Sequence, residues 1–264
     1  MEDLTPLVNF AQSLADIAAE ASLPLFKAQT LVDNKLTEGF DPVTQADRAA
    51  EQAMRSAIEQ HYPEHSILGE EFGAKQAGAY QWVLDPIDGT RAFITGMPIW
   101  GTLISLNRAG EPLLGVFDQP FTGERMTGVK GQPTKYERNG SEHPTSTRPC
   151  VNLADAILAT TDPRFFENAP GEQQMLHILK TAKLMRYGGD CYNYAMLACG
   201  HIDAVIEQGL QAYDIQALIP IIEGAGGMIT NWTGGSAASG GQVLACGSAD
   251  LHAQLLDLLS EAAV

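Results

Sequence analysis

The chain has 264 residues and a mass of 28.3 kDa, with 45% hydrophobic and 18% charged residues; this balance excludes a disordered or fibrous protein and leaves one globular domain or two packed halves. Its net charge of −16 and pI near 4.6 repel polyanions and anionic bilayers, so nucleic acid and membrane surfaces are excluded as primary partners. No apolar run approaches the ~20 residues that span a bilayer, and the N-terminal MEDLTPLVNF lacks a basic stretch followed by an apolar one, so a cytoplasmic protein is expected.

In chain order, Leu7, Phe10, Leu14, Ile17, Ala18, Ala21 and Leu25 recur at three and four and predict an amphipathic helix. Asp41-Pro42-Val43-Thr44 reads as a turn, followed by a helix from Gln45 to about His61 that buries Ala50, Met54, Ala57 and Ile58 and stops at Pro63. Short strands over Ser66 to Gly69 and Gln81 to Leu84 each end in a turn bearing carboxylates. An antiparallel meander follows: Trp100 to Asn107, Pro112 to Phe117 and Arg125 to Val129.

The polar segment Lys130 to Pro149 reads as a passage between halves, which places the boundary between residues 148 and 149. Beyond it, strand and helix alternate: Ala156 to Thr161, Gln173 to Ala182, Leu184 to Tyr187, Asp190 to Gly200, Ala204 to Glu207, Tyr213 to Ala225, Met228 to Asn231, Gln242 to Ala245 and a closing helix. That alternation predicts an α/β layer. The four cysteines lack paired spacing and read as buried thiols, and the six histidines show no ligand spacing.

Chemistry concentrates in Trp82-Val83-Leu84-Asp85-Pro86-Ile87-Asp88-Gly89-Thr90, an apolar strand running into two carboxylates. Two aspartates converging on one turn repel each other unless a cation sits between them, and hard oxygen ligands suit Mg²⁺. The backbone carbonyl of Ile87 is a further candidate ligand, and Gly89 permits a conformation or a close approach that a side chain would obstruct. Taken by itself the run is also an ordinary Asp-Gly turn. Likewise Glu70 and Glu71 alone read as a solvated loop, and Asp214 reads as a helix N-cap, a role compatible with metal ligation.

Together, Gly69-Glu70, the run Asp85-Pro86-Ile87-Asp88-Gly89-Thr90, and Tyr213-Asp214 ahead of Glu223-Gly224-Ala225-Gly226-Gly227 resemble the two signatures of the inositol monophosphatase family, in order and spacing over nearly the whole chain. The resemblance implies a layered α-β-α-β-α sandwich of the inositol monophosphatase / fructose-1,6-bisphosphatase type. Its halves would be residues 1–148, with the meander and most metal ligands, and 149–264, with Asp214 and substrate contacts. It implies two or three Mg²⁺: one held by Glu70, Asp85 and the Ile87 carbonyl, a second by Asp85, Asp88 and Asp214, and a weaker third to which Glu70 contributes. Asp47 and Thr90 would orient the attacking water, with Glu70 beside them in catalysis. Backbone N–H groups at Gly89, Thr90 and Arg91 would cradle the phosphate. Lys35 resembles a family loop lysine near the metals, with a solvated loop charge as the alternative. Family members are commonly homodimers.

After Thr90 the sequence departs from the usual inositol monophosphatase pattern. Arg91-Ala92-Phe93, Gly96-Met97-Pro98-Ile99-Trp100-Gly101-Thr102 and Arg186-Tyr187-Gly188-Gly189-Asp190-Cys191-Tyr192 resemble the histidinol-phosphatase branch. The implied reaction is hydrolysis of L-histidinol phosphate to L-histidinol and phosphate by direct attack of a metal-activated water. Inositol 1-phosphate and other small sugar or nucleotide phosphates are the alternatives. Histidinol phosphate carries an ammonium and an imidazole, so its pocket calls for carboxylates; Asp190 and Glu207 are the candidates, with Gly189 beside them. Asp190 also reads as an N-cap and Glu207 as a surface carboxylate, while Tyr192 and Tyr194 read as core, with packing on an imidazole as the alternative. Arg91 faces either the phosphate or a second copy of the chain. Two other classes were weighed: a metal-free domain whose acids only cap and turn, and an RNA-complex-associated binding protein, which 16 Lys and Arg against 32 Asp and Glu disfavour.

Overall fold

The computed structural model describes residues 3–28, 32–34 and 42–264. Helix α1 (Thr5–Ser22) takes Pro6 in its first turn and buries Ala11, Leu14, Ala15 and Ala18. Pro24 follows the helix, and Leu23–Leu25 form only a single tighter turn. Strands β1 (Val32–Asn34) and β2 (Pro42–Thr44) pair antiparallel, so Pro42 to Thr44 form a strand where a turn was expected. Thr44 then caps α2 (Gln45–His61): its hydroxyl accepts the Ala46 N–H, and the Asp47 carboxylate accepts the Thr44 N–H, a capping box that starts the helix at the expected residue.

The first sheet has eight strands: β3 (Ser66–Gly69), β4 (Gly73–Lys75), β5 (Tyr80–Asp88), β6 (Gly101–Arg108), β7 (Glu111–Gln119), β8 (Glu124–Val129), β9 (Lys135–Arg138) and β10 (Ser141–His143), in the order β10-β9-β8-β7-β6-β5-β3-β4. Only β3 and β5 run parallel; the other pairings are antiparallel, and β6 to β8 are the meander the sequence predicted. The segment expected as a plain passage contains β9 and β10. They escape the alternation test because they are short and mostly polar at the exposed edge of the sheet, with Tyr136 of β9 packed against the core. Helices α1 and α2 cover one face of this sheet, closing a core with Trp82, Leu84, Ile104 and Leu106.

The second sheet contains β11 (Ile157–Thr160), β12 (Leu184–Tyr187), β13 (Ala204–Leu210), β14 (Met228–Asn231) and β15 (Gly241–Cys246), in the order β12-β11-β13-β15-β14. Between the sheets lie α5 (Asp190–Ala198), α6 (Ala212–Ile215) and α7 (Leu218–Gly224), packed on Leu103, Phe117 and Met126 from one sheet and Val205, Val243 and Ala245 from the other. Helices α4 (Glu172–Thr181) and α8 (Ala249–Ser260) cover the outer face. The result is the α-β-α-β-α sandwich expected above. No helix among the described residues is long and apolar enough to cross a membrane.

Close approach of the middle layer to the first sheet is written in two glycines. A Cβ on Gly115 would lie 1.9 Å from the Ala217 carbonyl oxygen, and one on Gly128 would lie 2.4 Å from the Ile221 nitrogen. Both obstacles are backbone and cannot rotate away. Gly115→Ala is therefore expected to cost about 1–3 kcal/mol in chemical unfolding, the range of an overpacked core. Unchanged stability would mean that the helices are not seated as described.

Candidate active site

Strand β5 delivers the first two acids. It runs past Leu84, its expected end, and its register against β6 shifts between Asp85 and Asp88, so the strand bulges where both carboxylates turn inward. Asp85 Oδ1 accepts the Ile87 N–H at 3.1 Å, and Thr102 holds the bulge by donating to the Pro86 carbonyl at 2.8 Å. Gly89 has φ 87°, and a Cβ there would meet Asp190 Oδ2 at 3.1 Å and Trp100 Cα at 3.2 Å. Both demands anticipated for this glycine are thus present. Helix α3 (Thr90–Ile94) follows directly.

Asp214 comes from the middle layer. The single helix expected over Tyr213 to Ala225 is divided into α6 and α7. Pro220 has no N–H for the Gln216 carbonyl, and its ring crowds that carbonyl. Asp214 is not the N-cap: it sits at the third position of α6, where its Oδ2 accepts the Gln211 N–H at 2.6 Å. One oxygen is thereby fixed. Carboxylate oxygens of Asp85, Asp88 and Asp214 all lie within 4.8 Å of one another.

Glu70, in the turn after β3, lines the same cavity, and its side chain hydrogen-bonds that of Asp85. Asp47 is buried at the start of α2. Its Oδ2 accepts the Thr44 N–H and hydroxyl, and its Oδ1 lies 3.4 Å from the Thr90 hydroxyl, which is 3.2 Å from the Ile87 carbonyl. The structure therefore brings together Glu70, Asp85, Ile87, Asp88, Thr90 and Asp214 on one cavity, with Asp47 immediately behind Thr90.

That cavity, of about 800 Å³, extends from the acids along Gly89, Arg91, Asp190 and Glu207. Asp190 is not an N-cap; Gly189 holds that position with φ 119°, leaving the Asp190 side chain on the cavity wall. Gly189 itself is not among the lining residues. Glu207 is buried rather than superficial, accepting from the Thr161 N–H and hydroxyl at 2.8 Å each and from the Thr160 hydroxyl at 3.3 Å. Arg91 lines the cavity with its guanidinium 5.6 Å from the Phe165 ring centre, and its charge reaches Asp190. Lys35 lies outside the described residues. Sequence reasoning missed Phe165, Thr161 and Gln211 on this wall, and favours a core role for Tyr194 over a contact with an imidazole, whereas Tyr194 is both buried and part of the wall. None of these carries a local signal: Thr161, Phe165 and Gln211 reach the wall from the segments that follow β11 and β13, and Tyr194 reaches it from α5.

Crowding of buried acids sets the electrostatics. Burial, then Glu70, Asp88 and Asp214, hold the Asp85 carboxyl well above its usual range; burial, then Asp190 and Asp214, do the same to Asp88. Burial pushes Asp214 up to about 7 against the Gln211 N–H, Asp47 up to about 6 against the Thr44 hydroxyl, Asp190 up to about 6 against Arg91, and Glu207 up to about 8 against its threonine donors. Oxygen-only donors whose charges repel one another fit a hard divalent cation, so the residues present suit Mg²⁺. A consequence follows for stability. Each raised group binds its proton more tightly folded than unfolded, so its contribution is full below about pH 4, where the unfolded carboxyls titrate, and is lost as pH rises through the folded values of about 6 to 8. The unfolding midpoint of chelator-treated protein should fall between pH 5 and pH 8, and saturating Mg²⁺ should shrink that fall. A midpoint that rises with pH would contradict this electrostatic picture.

The sequence model of the inositol monophosphatase family matches residues 3–263. The chain is 44% identical to the bifunctional phosphatase IMPL2, chloroplastic, of Arabidopsis thaliana, over 97% of this chain and 76% of that protein. It is 33% identical to the histidinol-phosphatase of Streptomyces coelicolor over 99% of each. Among solved structures, an inositol monophosphatase from Zymomonas mobilis superposes with a TM-score of 0.86 at 44% identity, covering 98% of this chain and 100% of that one.

Proposed function

We propose that this chain, which belongs to the inositol monophosphatase family, hydrolyses L-histidinol phosphate to L-histidinol and phosphate with Mg²⁺ as its cofactor. Phosphomonoester hydrolysis is the activity of the family; the choice of ester is our reading. One observation carries it. Beyond the acids that suit a metal, the cavity wall holds a further carboxylate, Asp190, turned inward next to Glu207. Such a pair can accept hydrogen bonds from polyol hydroxyls, but only an ester that carries an ammonium and an imidazole brings the positive charge that complements it. Similarity to a histidinol-phosphatase along the full chain supports the same ester.

In this reading Asp85, Asp88 and Asp214 hold Mg²⁺ between them, and Glu70 with the Ile87 carbonyl completes a second set of ligands beside Asp85. Bound there, the metal supplies Lewis acidity that neutralises phosphoryl charge and lowers the pKa of water. The protein does the rest. The first turn of α3, at Gly89, Thr90 and Arg91, faces the phosphoryl group with backbone N–H groups that a helix start leaves without internal partners. Thr90 accepts a proton from the attacking water while its own hydroxyl proton passes to Asp47 Oδ1; a carboxyl pushed up to about 6 is matched to that task near neutrality. The new P–O bond forms as the bond to the ester oxygen breaks, and the released alkoxide takes a proton from solvent water to become the free alcohol. Asp190 receives the substrate ammonium, and Glu207, its oxygens fixed by Thr160 and Thr161, faces the imidazole.

A second reading, an inositol phosphate ester, is favoured by the similarity to the Zymomonas mobilis inositol monophosphatase. Phosphate release from histidinol phosphate, inositol 1-phosphate, fructose 1,6-bisphosphate and nucleoside monophosphates, each with Mg²⁺ and with chelator, separates the two. Faster turnover of inositol 1-phosphate than of histidinol phosphate would overturn the proposed ester, and turnover of any ester undiminished by chelator would overturn the metal.

A further inference from the structure

Helix α2 carries three ionisable residues at successive four-residue steps on one buried face: Asp47, Glu51 and Arg55. Asp47 belongs to the active site. Glu51 is fully buried, a costly place for a carboxylate unless it is paired and hydrogen-bonded. Its donors are specific. Oε1 accepts from Arg55 Nε at 2.7 Å and from the Phe72 N–H at 3.2 Å, and Oε2 accepts from the Glu71 N–H at 2.7 Å. Arg55 in turn donates to the Gly73 carbonyl and lies 6.0 Å from the Phe72 ring centre. The ion pair therefore grips the three residues that follow Glu70: Glu71 and Phe72 in the β3–β4 turn and Gly73 at the start of β4.

The other side of Glu70 is held as well, since its N–H donates to the Leu84 carbonyl one residue before Asp85. A further observation shows that the fit is built in: a Cβ on Gly69 would lie 2.0 Å from Glu51 Oε1 and 2.8 Å from the Arg55 guanidinium. The residue before Glu70 lacks a side chain, and the Glu51 carboxylate occupies the space one would fill. Backbone amides on a buried carboxylate fix a turn more firmly than solvent-exposed contacts do, because loosening them leaves the charge without partners.

We infer that Glu51 and Arg55 form a positioning pair that holds the Glu70 carboxylate in the metal site and ties it to the helix carrying Asp47. The inference rests on the reading of Glu70 as a metal ligand. Neither residue of the pair touches metal or substrate; they act through the turn. Buried ion pairs of this kind are often replaceable by apolar residues without loss of stability, so positioning and stability can be separated.

The decisive variant is the double replacement Glu51→Leu/Arg55→Met, which keeps volume and removes both charges. It should unfold at or near the parental temperature, yet bind Mg²⁺ about tenfold more weakly by calorimetry without substrate, the usual scale for groups that orient metal ligands. The Mg²⁺ concentration for half-maximal activity should rise in parallel, while KM for the ester at saturating Mg²⁺ moves by less than about threefold. Amide exchange at Glu71 and Phe72 should accelerate in the same variant. Glu51→Gln, which keeps one acceptor, should fall between the double variant and the parent. A folded double variant with parental Mg²⁺ affinity would overturn the inference. Glu70→Gln is the control: if it leaves Mg²⁺ binding unchanged, the ligand reading fails and takes the inference with it. If it weakens binding while the folded double variant does not, the positioning pair alone is refuted.

Discussion

Replacing Asp88 by Asn is expected to lower kcat/KM about 10³-fold or more and, in the same molecule, to raise the unfolding midpoint of the metal-free chain. A loss of that size corresponds to about 4 kcal/mol of transition-state stabilisation, reasonable for a ligand between cations that carry the charge of phosphoryl transfer. The stabilisation has a separate cause. Asp88 is held well above its ordinary range by burial and by Asp190 and Asp214, so neutralising it removes repulsion that the metal-free fold otherwise bears. Asn retains an oxygen to accept the Cys191 N–H that Asp88 Oδ2 now accepts, so the tie between β5 and α5 persists. A gain of about 1 kcal/mol would appear as roughly 2–4 °C in a chain of this size. Steady-state kinetics and thermal unfolding in chelator check both halves. Near-parental turnover would remove Asp88 from the metal site, and a large fall in midpoint would make it a structural residue instead.

Asp190→Asn should act on choice of ester rather than on chemistry. Its carboxylate lies on the cavity wall with Gly89 beneath it and the Arg91 charge nearby. A hydrogen bond to an ammonium there is worth roughly 2–3 kcal/mol, so kcat/KM for histidinol phosphate should fall about 30- to 150-fold. Turnover of inositol 1-phosphate, which presents no cation, should change by less than about fivefold. The readout is the ratio of the two specificity constants. A ratio that does not move would remove Asp190 from specificity and leave it as a residue that shapes the start of α5.

Both experiments test one arrangement, in which acids that repel one another are kept in place by backbone N–H groups and threonine hydroxyls. Gln211 fixes Asp214, Ile87 fixes Asp85, Thr160 and Thr161 fix Glu207, and the Glu51–Arg55 pair grips the turn that carries Glu70. The site is destabilising on its own, and stabilising contacts are placed around it.

Local sequence determined a good deal. The stripe of α1, the start of α2 at Gln45, the meander, and the alternation of the second half depend on periodicity and turn chemistry within a few residues, and these survive in the fold nearly as read. The Asp85–Thr90 run was legible because a bulge, a glycine with positive φ and two carboxylates all fall within six residues. Tertiary structure decided the rest. That Asp214 meets Asp85 and Asp88, that Glu207 is buried rather than superficial, and that Glu51 grips the turn after Glu70 follow from the packing of one sheet against another through a helical layer. No window of sequence contains both partners of those contacts. Burial, which pushes these carboxyls up, is a property of the assembled layers and not of any residue.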